Sequence, residues 1–278
     1  MHAVEMTPRV WDRLLSVRAG HGCSCCGHWS AGERAALDLY APVARRDLGR
    51  QVVAQIGQSL DGRVATHAGD ARDVSGPDGL AHLHRLRALV DGVLIGVRTA
   101  LHDRPRLTVR LCRGDSPARI VVDPQGRMPD DLPLLQADGV RRIVVQGCQR
   151  PRVKGVEVVT LPMREGRLDP EAMLDALQGL GVQSLLVEGG GITIARFLEA
   201  GLLNRLQVAV SPVLIGGGPQ GITLQNPVAE LAQALRPETR SYGLGPEVVF
   251  DCAFDARAAL GWVPLHATDM SPRAVTAR

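Results

Sequence analysis

The chain has 278 residues, 45% of them hydrophobic, and a formal net charge of +3, which allows one sizeable packed core and argues against wholesale disorder. Near-neutral charge and only 3% aromatic residues argue against nucleic-acid partners, which need basic patches or stacking platforms. No run approaches the roughly 20 apolar residues of a membrane helix and no basic-then-apolar start marks a secretory signal, so the six cysteines read as reduced cytoplasmic thiols.

In chain order, helices are predicted over Pro8 to Arg18 and Ala31 to Leu39, separated by a run that holds His21, Cys23, Cys25, Cys26 and His28. From Gln51 onward short apolar runs alternate with helical patterns, the signature of an α/β fold. Strands are expected at Val52 to Gln58, Gly92 to Gly96, Arg119 to Asp123, Arg142 to Gln146, Val156 to Leu161, Ser184 to Glu188 and Arg205 to Val210. Glu247 to Phe254 adds a last strand, antiparallel to a neighbour. Helices fit Pro77 to Val90, Asp169 to Leu180 and Gly191 to Ala200, with Asp169 and Pro170 as cap and first-turn residue. After Asp255 the pattern becomes irregular and reads as a tail.

The strongest local chemical signal is the strand ending at Glu188, followed by Gly189, Gly190, Gly191 and a helix. Such a turn presents backbone N–H groups at a positive helix end with no side chain in the way, which suits phosphate; it equally suits a plain tight turn. The spacing is not that of the dinucleotide fingerprint, and no acid follows about 20 residues on. Glu188 closes an apolar strand, where a carboxylate is costly unless bonded. A second trio, Gly216 to Gly218, reads as a turn that could border the same cleft. Arg87 borders the apolar stripe of Leu80, Leu83, Leu86 and Val90, where it either reaches solvent or meets an anion. His82 and His84 read as surface or packing histidines. The segment from Gly96 to Arg110 is a polar loop holding Thr99 and Asp103, and Asp61-Gly62 is turn chemistry.

Taken in order, these segments resemble the pyrimidine reductases of riboflavin biosynthesis, whose fold is dihydrofolate-reductase-like. The matching pieces are Ser59 to Gly62, Arg87, the Gly96, Thr99, Asp103, Pro105, Leu107 and Arg110 series, Arg119 to Asp123, Val187 to Gly191, and Leu203 to Pro212. The resemblance spans roughly Gln51 to Phe254. It implies a mostly parallel central sheet with flanking helices, NADPH as cofactor, and hydride transfer to the sugar C1′ of a phosphorylated ribosylaminopyrimidine. Position by position, it implies cofactor contacts at Thr99, Asp103 and the loop Gly190, Gly191, Ile192, Thr193, Ile194 and Ala195. It implies substrate contacts at Arg87, Leu107, Arg110 and Glu188, and a homodimer. Glu188 or Asp61 is nominated as proton donor.

The chain departs from these relatives at Ala71 and Asp73, where many carry serine and tryptophan, at Gln55, often lysine, and at Pro124, often serine. A pterin-like or secondary-metabolite substrate, or a non-catalytic nucleotide-binding role, stays open beside the leading reading. The chain divides into a Cys/His-containing appendage at 1–49, a reductase domain at 50–255 and a tail at 256–278. The zinc signature of the deaminase that many bacterial relatives carry needs H-x-E and a proline before its C-x-x-C; neither is present. The cysteine run therefore reads as a reduced-thiol loop, with a soft metal as the alternative, and no metal ligands are assigned.

Overall fold

A computed structural model describes residues 1–254; the expected tail at 256–278, with Asp255, lies outside them. The elements run β1 (His2–Ala3), α1 (Pro8–Arg18), α2 (Ala31–Ala44), β2 (Gln51–Ser59), α3 (Pro77–Ala88), β3 (Gly92–Gly96), α4 (Val97–Asp103), β4 (Ala118–Val122), β5 (Arg142–Gln146) and β6 (Val156–Thr160). They continue with β7 (Met163–Arg164), β8 (Arg167–Leu168), α5 (Pro170–Gly179), β9 (Ser184–Glu188), α6 (Gly191–Glu199), β10 (Arg205–Ser211), β11 (Glu238–Leu244) and β12 (Glu247–Ala253). Ten strands form one sheet in the order β1-β11-β12-β10-β2-β9-β3-β4-β5-β6. From β10 to β6 all pairings are parallel, and β12 runs antiparallel to both β10 and β11. This is the mostly parallel, helix-flanked sheet expected of a dihydrofolate-reductase-like chain.

The continuous apolar runs of the central strands follow from burial on both faces. Val53, Val93, Ile95, Val121 and Leu186 face one apolar cluster, while Val52, Ala54, Leu94, Ile120 and Leu185 face another. The second cluster is closed by Met173, Leu174 and Leu177 of α5 and by Ile194 and Phe197 of α6. β11 was missed from sequence because its alternation is poor: Glu238, Thr239 and Arg240 stand at the sheet's outer side, and only Tyr242 and Leu244 are buried. The segment read as a loop after Gly96 begins with the seven-residue helix α4, too short to show a period. No helix among the described residues is long and apolar enough to cross a membrane.

The first cluster is closed by α1 and α2. Val10, Leu14, Ala36, Leu39 and Tyr40 are all buried in it together with Leu86, Leu89 and Val93. Both helices are well started, α1 by Thr7 with Pro8 in its first turn and α2 by a reciprocal capping box between Ser30 and Glu33. α2 runs past Leu39 to Ala44 with Pro42 inside it. Polar contacts lock this layer to the rest: Trp11 Nε1 donates to the Arg113 carbonyl at 3.0 Å, and Arg18 pairs with Asp91 at 2.5 Å beside Ser184. The Tyr40 hydroxyl and His82 Nδ1 lie 2.7 Å apart and fully buried. This packing differs from an appendage at 1–49 that would leave the chain from near Gly49 able to fold by itself. The physical reason is that α1 and α2 complete the cover of a sheet face that Leu86 and Leu89 cover only in part.

A chain starting at Gly49 is therefore expected to lack a cooperative thermal transition. Leu14→Ala in the full chain should lower stability by about 2–5 kcal/mol, measured by urea denaturation. Burial, helped by the charge of Arg85, pushes the His82 pKa down to about 3. The unfolded imidazole protonates near pH 6.5, so below that pH the unfolded chain takes up a proton the folded one refuses. Stability from this group is complete above pH 6.5 and is lost as pH falls toward 3, at a limiting slope of about 1.4 kcal/mol per pH unit. Urea midpoints between pH 7.5 and 4.5 should fall, and His82→Gln should flatten that slope.

Candidate active site

A cleft of about 690 Å³ opens at the C-terminal ends of β2, β3 and β9, where open α/β sheets bind their ligands. Its lining includes Gln55 of β2, Ile95 of β3, Thr99 and Asp103 of α4, Leu107 and Glu188. At its base Arg87 and Glu188 form a forked ion pair, Nε to Oε1 at 2.6 Å and Nη2 to Oε2 at 2.7 Å. Both side chains are buried, at 8% and 7% exposure. Burial lowers the Arg87 pKa, but the carboxylate outweighs it and the net shift is upward. The arginine that sequence placed between solvent and an anion thus meets an anion within the protein.

Arg87 also donates Nη1–H to the Thr108 carbonyl at 3.2 Å. The same loop is held by Arg110 N–H on His84 Nδ1 at 2.9 Å and by Val109 N–H on Ser116 Oγ at 3.0 Å. These bonds hold Leu107 buried at φ +53°, a left-handed backbone that costs a leucine roughly 1–2 kcal/mol. The Arg110 guanidinium is exposed, bonded to Thr108 Oγ1 at 2.5 Å. Burial of part of its surface and the neighbouring charges of Arg87 and Arg106 push its pKa down. Arg110 thus lies beside Arg87 and Arg106, and its side chain stands outside the residues that line the cleft.

The opposite wall is the glycine turn. Gly189 and Gly190 have φ of +56° and +64°, a left-handed pair that L side chains resist. A Cβ on Gly190 would come 2.9 Å from Thr99 Oγ1, and one on Gly191 would lie 1.5 Å from the Gly221 carbonyl oxygen. Internal bonding of α6 begins with Thr193 N–H on the Gly190 carbonyl at 2.7 Å; the amides ahead of it find no acceptor inside the helix. Of the loop residues singled out from sequence, Gly190 lines the cleft, Ile192 is exposed and Thr193 lies against Gly96. Ile194 and Ala195 are buried at 0% and 1% exposure, so their side chains face the core and cannot serve a ligand. Thr99 and Asp103 both line the cleft, and Asp103 Oδ1 lies 2.7 Å from His102 Nδ1.

Neither carboxylate nominated as proton donor is arranged as one. Both oxygens of Glu188 accept from Arg87. Asp61 is exposed outside the cleft lining and accepts from Ser59 Oγ at 2.6 Å, Ile215 N at 3.1 Å and Gly216 N at 2.7 Å. Those bonds, the serine's first, lower its pKa to about 2. Asp61 instead ties the turn after β2 to the glycine-rich loop after β10, and that loop's Pro219 reaches the cleft. Gln55 was read only as a departure. It is buried in the cleft wall and stands opposite Glu188 in register, and a polar residue inside the apolar run of β2 was the signal for it. Ala71 and Asp73 also line the cleft, Asp73 at φ +61°.

The model of the RibD C-terminal domain family matches residues 50–249. The chain is 33% identical over 210 residues to the 2,5-diamino-6-ribosylamino-4(3H)-pyrimidinone 5′-phosphate reductase of Methanothermobacter thermautotrophicus, covering 72% of this chain and 96% of that one. It is 30% identical to the riboflavin biosynthesis protein RibD of Actinobacillus pleuropneumoniae, covering 72% of this chain but only 56% of the relative. In structure it is similar to the deaminase/5-amino-6-(5-phosphoribosylamino)uracil reductase of Thermotoga maritima, with TM-score 0.64 and 21% identity over 77% of this chain and 59% of that one. It is also similar to the yeast riboflavin biosynthesis reductase Rib7, with TM-score 0.60 and 21% identity over 75% of this chain and 91% of that one.

Cutting the ion pair tests whether it anchors the cleft. Glu188→Gln leaves Arg87 buried against a neutral partner and should destabilise the fold by about 3–5 kcal/mol. Replacing both residues with apolar ones of similar volume should recover much of that loss in urea titrations.

Proposed function

This chain belongs to the RibD C-terminal domain family, and we propose that it is an NADPH-dependent reductase of a phosphorylated ribosylaminopyrimidine. The single observation that carries the reading is the pairing of one cleft's two walls. One is a side-chain-free helix start suited to a cofactor phosphate; the other is bordered by the loop from Leu107 to Arg110, whose exposed guanidinium suits a substrate phosphate.

The cofactor fits the site on the structure's own terms. The Gly190 cradle, which a Cβ would fill against Thr99, keeps side chains out of the turn that lines the cleft, and Thr99 and Asp103 offer hydroxyl and carboxylate partners on the adjacent helix. When bound, NADPH would supply the hydride that converts the C1′ of the ring-opened sugar to a ribityl carbon. The chain's residues then act by positioning. Glu188 orients Arg87, Leu107 supplies an apolar face, and Arg110 with Arg87 holds the anionic end of the substrate. Arg127 is exposed beyond the end of β4 and is the proposed partner for the cofactor's 2′-phosphate. The same reading includes a homodimer, for which Phe250, 41% exposed on β12, offers an apolar contact on the sheet. A cytoplasmic setting fits six free cysteines.

The test is NADPH oxidation by the full chain against the diaminopyrimidinone and aminouracil ribosylamino phosphates, with pterin phosphates as controls. Turnover of either pyrimidine supports the reading; binding of neither NADPH nor NADH in calorimetry would sink it. Turnover of pterins alone would move the substrate while keeping the chemistry. A charge-assisted bond is worth roughly 1.5–3 kcal/mol, so Arg110→Ala should lower kcat/KM by about ten- to a hundredfold with NADPH affinity unchanged. A folded variant that loses NADPH instead would place this arginine on the cofactor.

A further inference from the structure

The connection between α1 and α2 retraces α1 from end to start. Ser16 Oγ donates to the His21 carbonyl at 2.7 Å, Arg13 Nη1 to the Cys23 carbonyl at 3.0 Å, and Arg9 to the His28 carbonyl. From the other side Arg34 of α2 donates to the Ser24 carbonyl at 3.3 Å. Trp29 Nε1 donates to the Cys26 carbonyl at 3.1 Å, and the Arg9 guanidinium stacks 4.3 Å above the indole. Gly22 and Gly27, at φ +77° and +117°, turn the backbone at either end. The loop contains no helix or strand, and although Trp29 packs against the buried core, the run from Gly22 to Gly27 adds no side chain to it, so apolar burial does not account for the shape of that run.

That shape brings three sulfurs to one point. The Sγ atoms of Cys23, Cys25 and Cys26 all lie within 4.8 Å of one another. Cys23 and Cys26 are 2.9 Å apart and Cys25 and Cys26 are 3.9 Å apart. A tetrahedral ion with metal–sulfur bonds of about 2.3 Å sets its sulfurs about 3.8 Å apart, so small adjustments suffice to seat one. The Cys26 N–H already donates to Cys23 Sγ at 3.3 Å, an orientation that supports a ligating thiolate from its second shell. The triad contains no carboxylate, which disfavours magnesium and calcium; thiolates select soft or borderline ions.

We propose that Cys23, Cys25 and Cys26 form a zinc site that pins the retracing connection between α1 and α2, its fourth position filled by water or by a ligand that swings in, since neither His21 nor His28 belongs to the group within 4.8 Å. The site is separate from the reductase cleft, since no residue before Gln55 lines that cleft, and it does not depend on the proposed substrate. Its effect is structural. It closes the one long irregular segment between two helices that cover a sheet face.

The experiment uses the full chain, purified under reducing conditions, loaded with zinc and desalted. About one zinc per chain is expected by elemental analysis, and cobalt in its place should show thiolate-to-metal charge-transfer absorption. A chelator should release the zinc, make three further thiols reactive toward a disulfide reagent and lower the thermal midpoint, with NADPH affinity unchanged. Cys25→Ser should weaken zinc by more than the about 10–100-fold typical of losing a supporting partner, while Cys112→Ser and Cys148→Ser should not. Zinc at less than about a tenth of an equivalent would overturn the proposal. So would equal thiol reactivity with and without chelator, which needs no variant to fold.

Discussion

The forked pair of Arg87 and Glu188 is the interaction on which the cleft depends. It joins the C-terminal half of α3 to the last residue of β9, over 101 positions of sequence, and it sits where two layers would otherwise meet through unpaired charges. Removing two charges from water is expensive, and the cost is offset here by two short bonds and a third from Arg87 to the loop that carries Leu107. One arginine thereby sets the floor of the cleft and the height of its wall.

Much of this was legible in the sequence. The parallel strands announced themselves because strands buried on both faces are uniformly apolar. The turn after Glu188 announced itself because three successive glycines follow a charged residue at a strand end. What sequence could not convey was direction. Glu188 and Asp61 are both acids near glycines, yet one is consumed by Arg87 and the other by two backbone amides and a serine. Ile194 and Ala195 lie within the glycine loop's sequence but turn to the core, because a helix started by Gly190 rotates them inward. The short helix α4 and the edge strand β11 escaped for the opposite reason, having too few apolar positions to show a period.

The N-terminal segment illustrates a related limit. Pattern located α1 and the start of α2, but their amphipathic faces carry no mark of what they cover. Only the sheet reveals it: the face containing Val53, Val93 and Leu186 is completed by α1 and α2, together with Leu86 and Leu89 from the α3 region. Segments that lie outside a family's shared region can thus belong to the core of a particular member. The buried contact between Tyr40 and His82 makes this union polar and titratable as well as apolar.

The approach of the Gly221 carbonyl to Gly191 has a mechanical meaning. Gly221 N–H bonds to the Gly62 carbonyl, and Asp61 holds Ile215 and Gly216, so three separate turns share one rigid frame. The start of α6 touches that frame backbone to backbone, with no side chain between them to act as a cushion. Anyone seeking to reshape the cleft by redesigning the loop after β10 would therefore be adjusting the helix start at the same time. The two loops form a single engineering unit.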